Sequence, residues 1–175
     1  MGRKIIVADT SPLIAFGRID RLALLTEILG TIIVPRFVVE ECIVDIRRPG
    51  ASVIQKAIKE KIIKIMEVDT KLLEFQELSV ILDRGETAAI ILAKQLDAGL
   101  LIDEKLGRNV AKNLNLKIIG TAGVLLLAKK NKLIPKVYPL IFSLKESGYY
   151  LSSALIKEVM KQAQEKIPAK LELSK

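Results

Sequence analysis

The sequence predicts an α/β fold of three layers, with helices on both faces of a five-stranded parallel sheet. Two observations carry that prediction. Five short runs are continuously apolar rather than alternating, as strands buried on both faces are. Helical stretches separate these runs, and each connection is long enough for a right-handed crossover.

The elements follow in order. Ile5–Asp9 is apolar, rich in β-branched residues, and reads as the first strand. Ser11-Pro12 has the chemistry of an N-cap and a first helical position, so a short helix opens there. Asp20 caps a helix over Arg21–Leu29, which Gly30 stops. Thr31–Val34 is the second strand, and Pro35 opens a helix over Arg36–Ile46, broken by Arg47-Arg48-Pro49-Gly50. Ala51–Lys61 is helical and Ile62–Val68 is the third strand. Helices over Lys71–Leu82 and Glu86–Asp97 follow, split by Asp83-Arg84-Gly85. Leu100–Asp103 is the fourth strand, Leu106–Asn113 a helix and Lys117–Gly120 the fifth strand. Gly123–Lys130, Val137–Glu146 and Ser152–Ile167 are helical. Residues 1–150 read as one domain and 151–175 as a C-terminal helix and tail, whose Leu151, Leu155, Val159, Ala163 and Ile167 form a narrow apolar stripe.

Composition limits the chemistry. Half of the 175 residues are apolar, enough for a sizeable core, and only seven are aromatic. The chain has no His, which removes His-based nucleophile systems and His-containing zinc sites. A single cysteine, Cys42, removes intrachain disulfides and Cys-cluster metal sites. No apolar run, that around Val124–Ala128 included, comes near the ~20 residues of a spanning helix. Asp9 interrupts the N-terminal apolar stretch too early for a signal-peptide core. The expectation is a soluble cytoplasmic protein whose catalysis, if any, runs on carboxylates, Lys, Arg, hydroxyls or an oxygen-held metal.

Gly120-Thr121-Ala122-Gly123 is too short for a phosphate-cradling loop and has no lysine. The acids are more informative. Open parallel sheets bind ligands at the carboxyl ends of strands where the order reverses. Two strands end in acids there, the first in Asp9 and the fourth in Asp103, with Glu104 next. Glu86 lies on an apolar helical face with Ala89, Ile90 and Ala93, and Glu41 shares its register with Phe37, Val38 and Val44. Each acid has a structural alternative. Asp9 and Asp103 fit N-caps of the helices that follow, Glu86 fits a first-turn helix-dipole carboxylate, and Glu41 fits the solvated edge of its face. Four acids converging on one sheet edge repel unless a cation sits among them. Oxygen ligands select Mg²⁺ or Mn²⁺, ions that activate water and neutralise charge developing on a phosphodiester.

Ile6-Val7-Ala8-Asp9-Thr10-Ser11-Pro12-Leu13-Ile14 resembles the opening of PIN domains, as do Val34-Pro35 with Val38 and Glu41, and Gly85-Glu86-Thr87-Ala88-Ala89-Ile90. Leu101-Ile102-Asp103-Glu104, with Gly107-Arg108 and Ala111, followed by Gly120 to Leu126, resembles a prokaryotic PIN-like subgroup that includes VapC-like toxins. The resemblance covers about residues 4–152. It implies a sheet order of 3-2-1-4-5 and an Mg²⁺- or Mn²⁺-dependent ribonuclease, often the toxin of a toxin–antitoxin pair. Carried over, Asp9, Glu41, Glu86 and Asp103 are the catalytic, metal-binding acids, with Glu104 as the alternative to Asp103. Thr10 or Ser11 assists through its hydroxyl. A homodimer is expected from the same resemblance and from the apolar stripes beyond the third strand and at the C-terminus. An antitoxin protein is a further expected partner.

The 28 Lys and Arg against 20 Asp and Glu leave a net charge of +8. All of that excess lies in residues 105–136, which hold eight Lys and Arg and no acid. Lys105, Arg108 and Lys112 stand just past Asp103, where an RNA backbone needs cations. Lys129 to Lys136 read as a solvated surface. Two rivals to a ribonuclease fit the same residues. One is a non-catalytic PIN-like module that binds RNA or protein. The other is a structure-specific DNA nuclease, which usually carries long insertions that this chain does not have.

Overall fold

All five apolar runs become strands of one sheet in the computed structural model, which describes residues 4–168. The chain runs β1 (Ile5–Ala8), α1 (Thr10–Arg18), α2 (Leu22–Leu29), β2 (Thr31–Pro35), α3 (Arg36–Ile43), α4 (Ala51–Lys59), β3 (Ile63–Met66), α5 (Leu73–Leu78), α6 (Arg84–Gln95), β4 (Gly99–Leu101), α7 (Lys105–Asn113), β5 (Ile118–Ile119), α8 (Thr121–Lys130), α9 (Tyr138–Glu146) and α10 (Ser153–Gln162). The strand order is β3-β2-β1-β4-β5, and every neighbouring pair is parallel. This is the expected three-layer α/β fold with its 3-2-1-4-5 order. β1 is central, with Ile6 in register with Ile32 on one side and Gly99 on the other.

The chain divides into two compact units, the first ending at Thr121 and the second beginning at Ala122. The sheet and α1 to α7 belong to the first. Its core is built on Val7, Ala8, Ile32, Val34, Leu100 and Leu101, all buried, as unbroken apolar strands require. α6 is buried from Gly85 through Ala93. A helix apolar on every side is one enclosed by its neighbours, and α6 packs on α3, α5, α7, β1, β2 and β4. Gly30 turns α2 into β2 at φ +91°, where an added Cβ would stand 2.4 Å from the Lys4 carbonyl oxygen.

Several element ends differ from expectation, each for a local reason. α1 opens at Thr10 with Asp9 in the N-cap position, so Pro12 falls third in the helix, where its missing N–H costs nothing. α3 stops at Ile43 because Asp45 Oδ1 accepts the Arg47 backbone N–H at 3.0 Å and turns the chain. α5 is confined to Leu73–Leu78: the Ser79 hydroxyl donates to the Phe75 carbonyl at 2.7 Å, satisfying a C-terminal acceptor. Leu73, Val80 and Ile81 are left exposed. α10 opens on Ser152, whose side chain accepts the Leu155 N–H, and ends before Gln164, which sits at φ 55°. Within the expected C-terminal stripe, Val159 and Ala163 are buried while Leu155 is 40% exposed.

In the second unit a half-buried acid ties the helix ends together. Glu165 accepts from Lys129 Nζ at 2.7 Å and from the backbone N–H groups of Val137 at 2.7 Å and Tyr138 at 3.0 Å. Burial opposes the charge of Glu165, but Lys129 and the two N–H groups outweigh it and hold the carboxyl below its ordinary range. Lys129 also donates to the Ala163 carbonyl. Lys129 is thus half-buried and paired, not part of a solvated surface, whereas Lys130, Lys132 and Lys136 are exposed as expected. No helix among the described residues is long and apolar enough to cross a membrane.

Candidate functional site

The site is assembled where β1, β2 and β4 hand the chain to their following helices. Asp9 ends the central strand, and its backbone N–H donates to the Leu101 carbonyl at 3.0 Å, which pins it beside β4. Glu41 stands two turns into α3, reached directly from β2 through Pro35. Glu86 stands in the first turn of α6. α3, α5 and α6 are held together at this end by the Phe37–Phe75 pair, with ring centroids 6.1 Å apart, and by the Arg84 guanidinium lying 4.3 Å above the Phe37 ring.

These three acids share one electrostatic neighbourhood with two more. Asp9 is only 2% exposed. Burial, and then the charges of Glu86, Asp83 and Glu41, push its carboxyl up to about 8, against a lowering contact from the Thr10 backbone N–H. Glu86 is also raised, first by burial and then by Asp83, Glu104 and Glu41. The Thr10 hydroxyl donates to Glu41 Oε2 at 2.6 Å, so the hydroxyl expected to assist holds an acid in place. Ser11 makes no such contact among the described residues. Cys42, beneath the same acids, is buried, and its thiol is pushed up to about 12 by burial, Glu41 and Asp9. It is an inert core residue.

Asp83 is the acid that sequence reasoning missed. Its carboxylate accepts the Glu86 N–H at 2.7 Å, and its own backbone N–H returns toward Glu86. Asp83-Arg84-Gly85-Glu86 is therefore a reciprocal capping box, and that spacing was the signal available.

Asp103 and Glu104 separate. Both oxygens of Asp103 are engaged by Thr121: Oδ1 accepts its N–H at 2.8 Å and Oδ2 its hydroxyl at 2.6 Å. Asp103 thus caps α8, not the helix that follows it. Glu104 is exposed and bears on Glu86 through its charge. Among the basic residues, Arg108 is half-buried and donates from Nη1 to the Ile102 carbonyl at 2.8 Å, while Lys105 and Lys112 are exposed.

The acids brought together are therefore Asp9, Glu41, Asp83, Glu86 and Glu104. Among the described residues none of them forms an ion pair with Lys or Arg. Uncompensated carboxylates in a partly buried edge fit a hard divalent cation, which takes oxygen ligands. As the side chains stand, no three His, Cys, Asp or Glu among the described residues are gathered closely enough to hold one.

Comparison with known proteins gives one family. The sequence model described as "DUF3368: PIN domain" matches residues 5–165. No curated protein matches. Two solved structures are similar. One is a domain of a functionally unknown protein from Methanocaldococcus jannaschii DSM 2661, at 20% identity and TM-score 0.45, covering 67% of this chain and 90% of that one. The other is a PilT N-terminus domain protein, SSO1118, from the hyperthermophilic archaeon Sulfolobus solfataricus P2. It stands at 17% identity and TM-score 0.44, covering 69% of this chain and 89% of that one.

Proposed function

This chain belongs to the PIN domain family, whose members are generally nucleases, and on that premise we propose that it is a divalent-metal-dependent endoribonuclease. The observation that carries the reading is the set of unpaired acids around Asp9, at the reversal point of the sheet. Asp9, Glu41, Glu86 and Glu104 would hold Mg²⁺ or Mn²⁺. When bound, the ion supplies an activated water and neutralises charge on the phosphodiester. The chain's own groups do the rest. The Thr10 hydroxyl holds the Glu41 carboxylate, Asp83 caps the backbone at Glu86, and Asp9 is shielded from solvent by burial. Lys105 and Lys112, exposed on α7 just past Glu104, take the RNA backbone. Asp103, in the same loop, is held by the amide and hydroxyl of Thr121.

The toxin role and the homodimer belong to this proposal as well. Exposed Leu73, Val80 and Ile81 beside α5 support a face covered by a second copy. A second reading, a non-catalytic PIN-like module, is favoured by the loosely gathered carboxylates. Cleavage of labelled RNA and of matched DNA, in EDTA and in Mn²⁺, separates the possibilities. Mn²⁺-dependent RNA cleavage abolished by Asp9→Asn supports the nuclease. Metal-independent cleavage, or full activity in Asp9→Asn, refutes it. Metal binding and cleavage both absent from the wild type promotes the non-catalytic module.

A further inference from the structure

Gly85 is the second residue of α6 and has no need of glycine's conformational freedom, because its backbone is helical and its φ is not positive. Alanine is the more stable residue inside a helix. Space explains the position. A Cβ added to Gly85 would stand 2.8 Å from both carboxylate oxygens of Glu41 and 3.1 Å from its Cδ. The same carboxylate receives the Thr10 hydroxyl at 2.6 Å. The Glu41 carboxylate is therefore held by a hydroxyl and lies against a bare Cα. Gly107 on α7 differs: a Cβ there would meet Ile102 Cδ1 first, at 2.6 Å, and Glu86 Oε1 at 2.9 Å, so apolar packing already accounts for that glycine.

We infer that Gly85 is a positioning residue, a seat for the Glu41 carboxylate. The inference rests on the metal reading above for its consequence but not for its geometry. The atoms a Gly85 methyl group meets are the far end of a flexible side chain in an exposed residue. The carboxylate is thus what moves, and the backbone stays. Gly85→Ala should keep or raise the melting temperature in EDTA by a few degrees, through helix propensity. Its Mn²⁺ affinity should fall roughly 10–100-fold, as when an orienting partner of a ligand is lost. Glu41→Asp, one methylene shorter, should weaken binding alone but restore part of it on the Gly85→Ala background. That non-additive result identifies the seat.

The experiment is Mn²⁺ titration by calorimetry on wild type, both single variants and the double variant, with the Glu41 side-chain carboxyl ¹³C resonance followed in EDTA. Wild-type affinity in Gly85→Ala overturns the inference. So does an unmoved ¹³C resonance. A wild type that binds no Mn²⁺ refutes the metal reading instead, and the resonance then decides the seat alone. If Gly85→Ala fails to fold, recovery in the double variant still supports the overlap with Glu41, and collapse of both overturns it.

Discussion

Asp9→Asn should make the protein more stable in the absence of metal. The substitution keeps shape and volume but removes an ionisable carboxyl that is 2% exposed and faces other acids. The folded carboxyl lies at about 8 against an ordinary 3.8, so the folded chain holds a proton that the unfolded chain releases. The sign follows. Stability associated with Asp9 is fully present below pH 3.8 and is lost as pH rises through 8. Asparagine does not titrate, so the variant keeps what wild type loses. From 3.8 to pH 7 is about three units, which at roughly 1.4 kcal/mol each sets a ceiling of about 4 kcal/mol. Relaxation and water entry in the folded state lower that figure. For a chain of this length, 4 kcal/mol corresponds to roughly 8–16 °C. The assay is thermal unfolding in EDTA at pH 4, 5.5, 7 and 8.5. The gap between variant and wild type should open with rising pH and level off above 8. In Mn²⁺ the order should narrow or reverse, because ligand binding stabilises the wild type by mass action. Curves that coincide at every pH, or a gap that closes as pH rises, would refute the reasoning.

Three other perturbations test separate parts of the molecule. Glu165→Gln removes the charge that faces Lys129 and weakens two backbone hydrogen bonds; it should cost about 1–3 kcal/mol, read as faster amide exchange at Val137 and Tyr138. The Glu165 contribution is present above the ordinary carboxylate range and disappears as pH falls through the lowered value, so the wild type should approach the variant in acid. Lys105→Ala and Lys112→Ala should each weaken RNA binding and reduce the slope of log K against log salt by about 1, measured by fluorescence anisotropy; Arg108→Ala, which loses a bond to the Ile102 carbonyl, should lower the melting temperature more than it changes that slope. Val80→Lys with Ile81→Lys should leave the fold intact and convert a dimer to a monomer in light scattering, whereas a wild-type mass of 19.4 kDa at micromolar concentration would refute the dimer.

Which chain segments meet was legible in the sequence. A strand buried on both faces leaves a dense apolar run, as in β2 and β4; all five runs are strands of the sheet, but edge strand β3 exposes Lys64 and Met66 on one face. Acids that end those runs fall at the sheet's edge, which located Asp9 and the Asp103-Glu104 pair. What periodicity does not carry is the direction of a side chain. Asp103 and Glu104 are adjacent, both acidic, and both follow β4. They are separated by Thr121, eighteen residues further on, whose amide and hydroxyl take both Asp103 oxygens and leave Glu104 beside Glu86. Element ends were displaced by equally local chemistry, such as the Asp45 turn that stops α3.

Asp83 escaped notice because its signal reads as helix punctuation, and it is punctuation. That duty does not compete with a functional one. A capping carboxylate bonded to neutral N–H groups gains no cationic partner, so the cap orders the start of α6 without pairing either acid with Lys or Arg. The Thr10 hydroxyl does the same for Glu41. Neutral donors orient these acids, and no Lys or Arg among the described residues pairs with them. An edge built for stability alone gains by adding a cationic side chain, because like charges near Asp9 raise the cost of its burial. Holding the acids with neutral groups keeps their positions and leaves them without a cationic partner, the two properties on which binding of a cation depends.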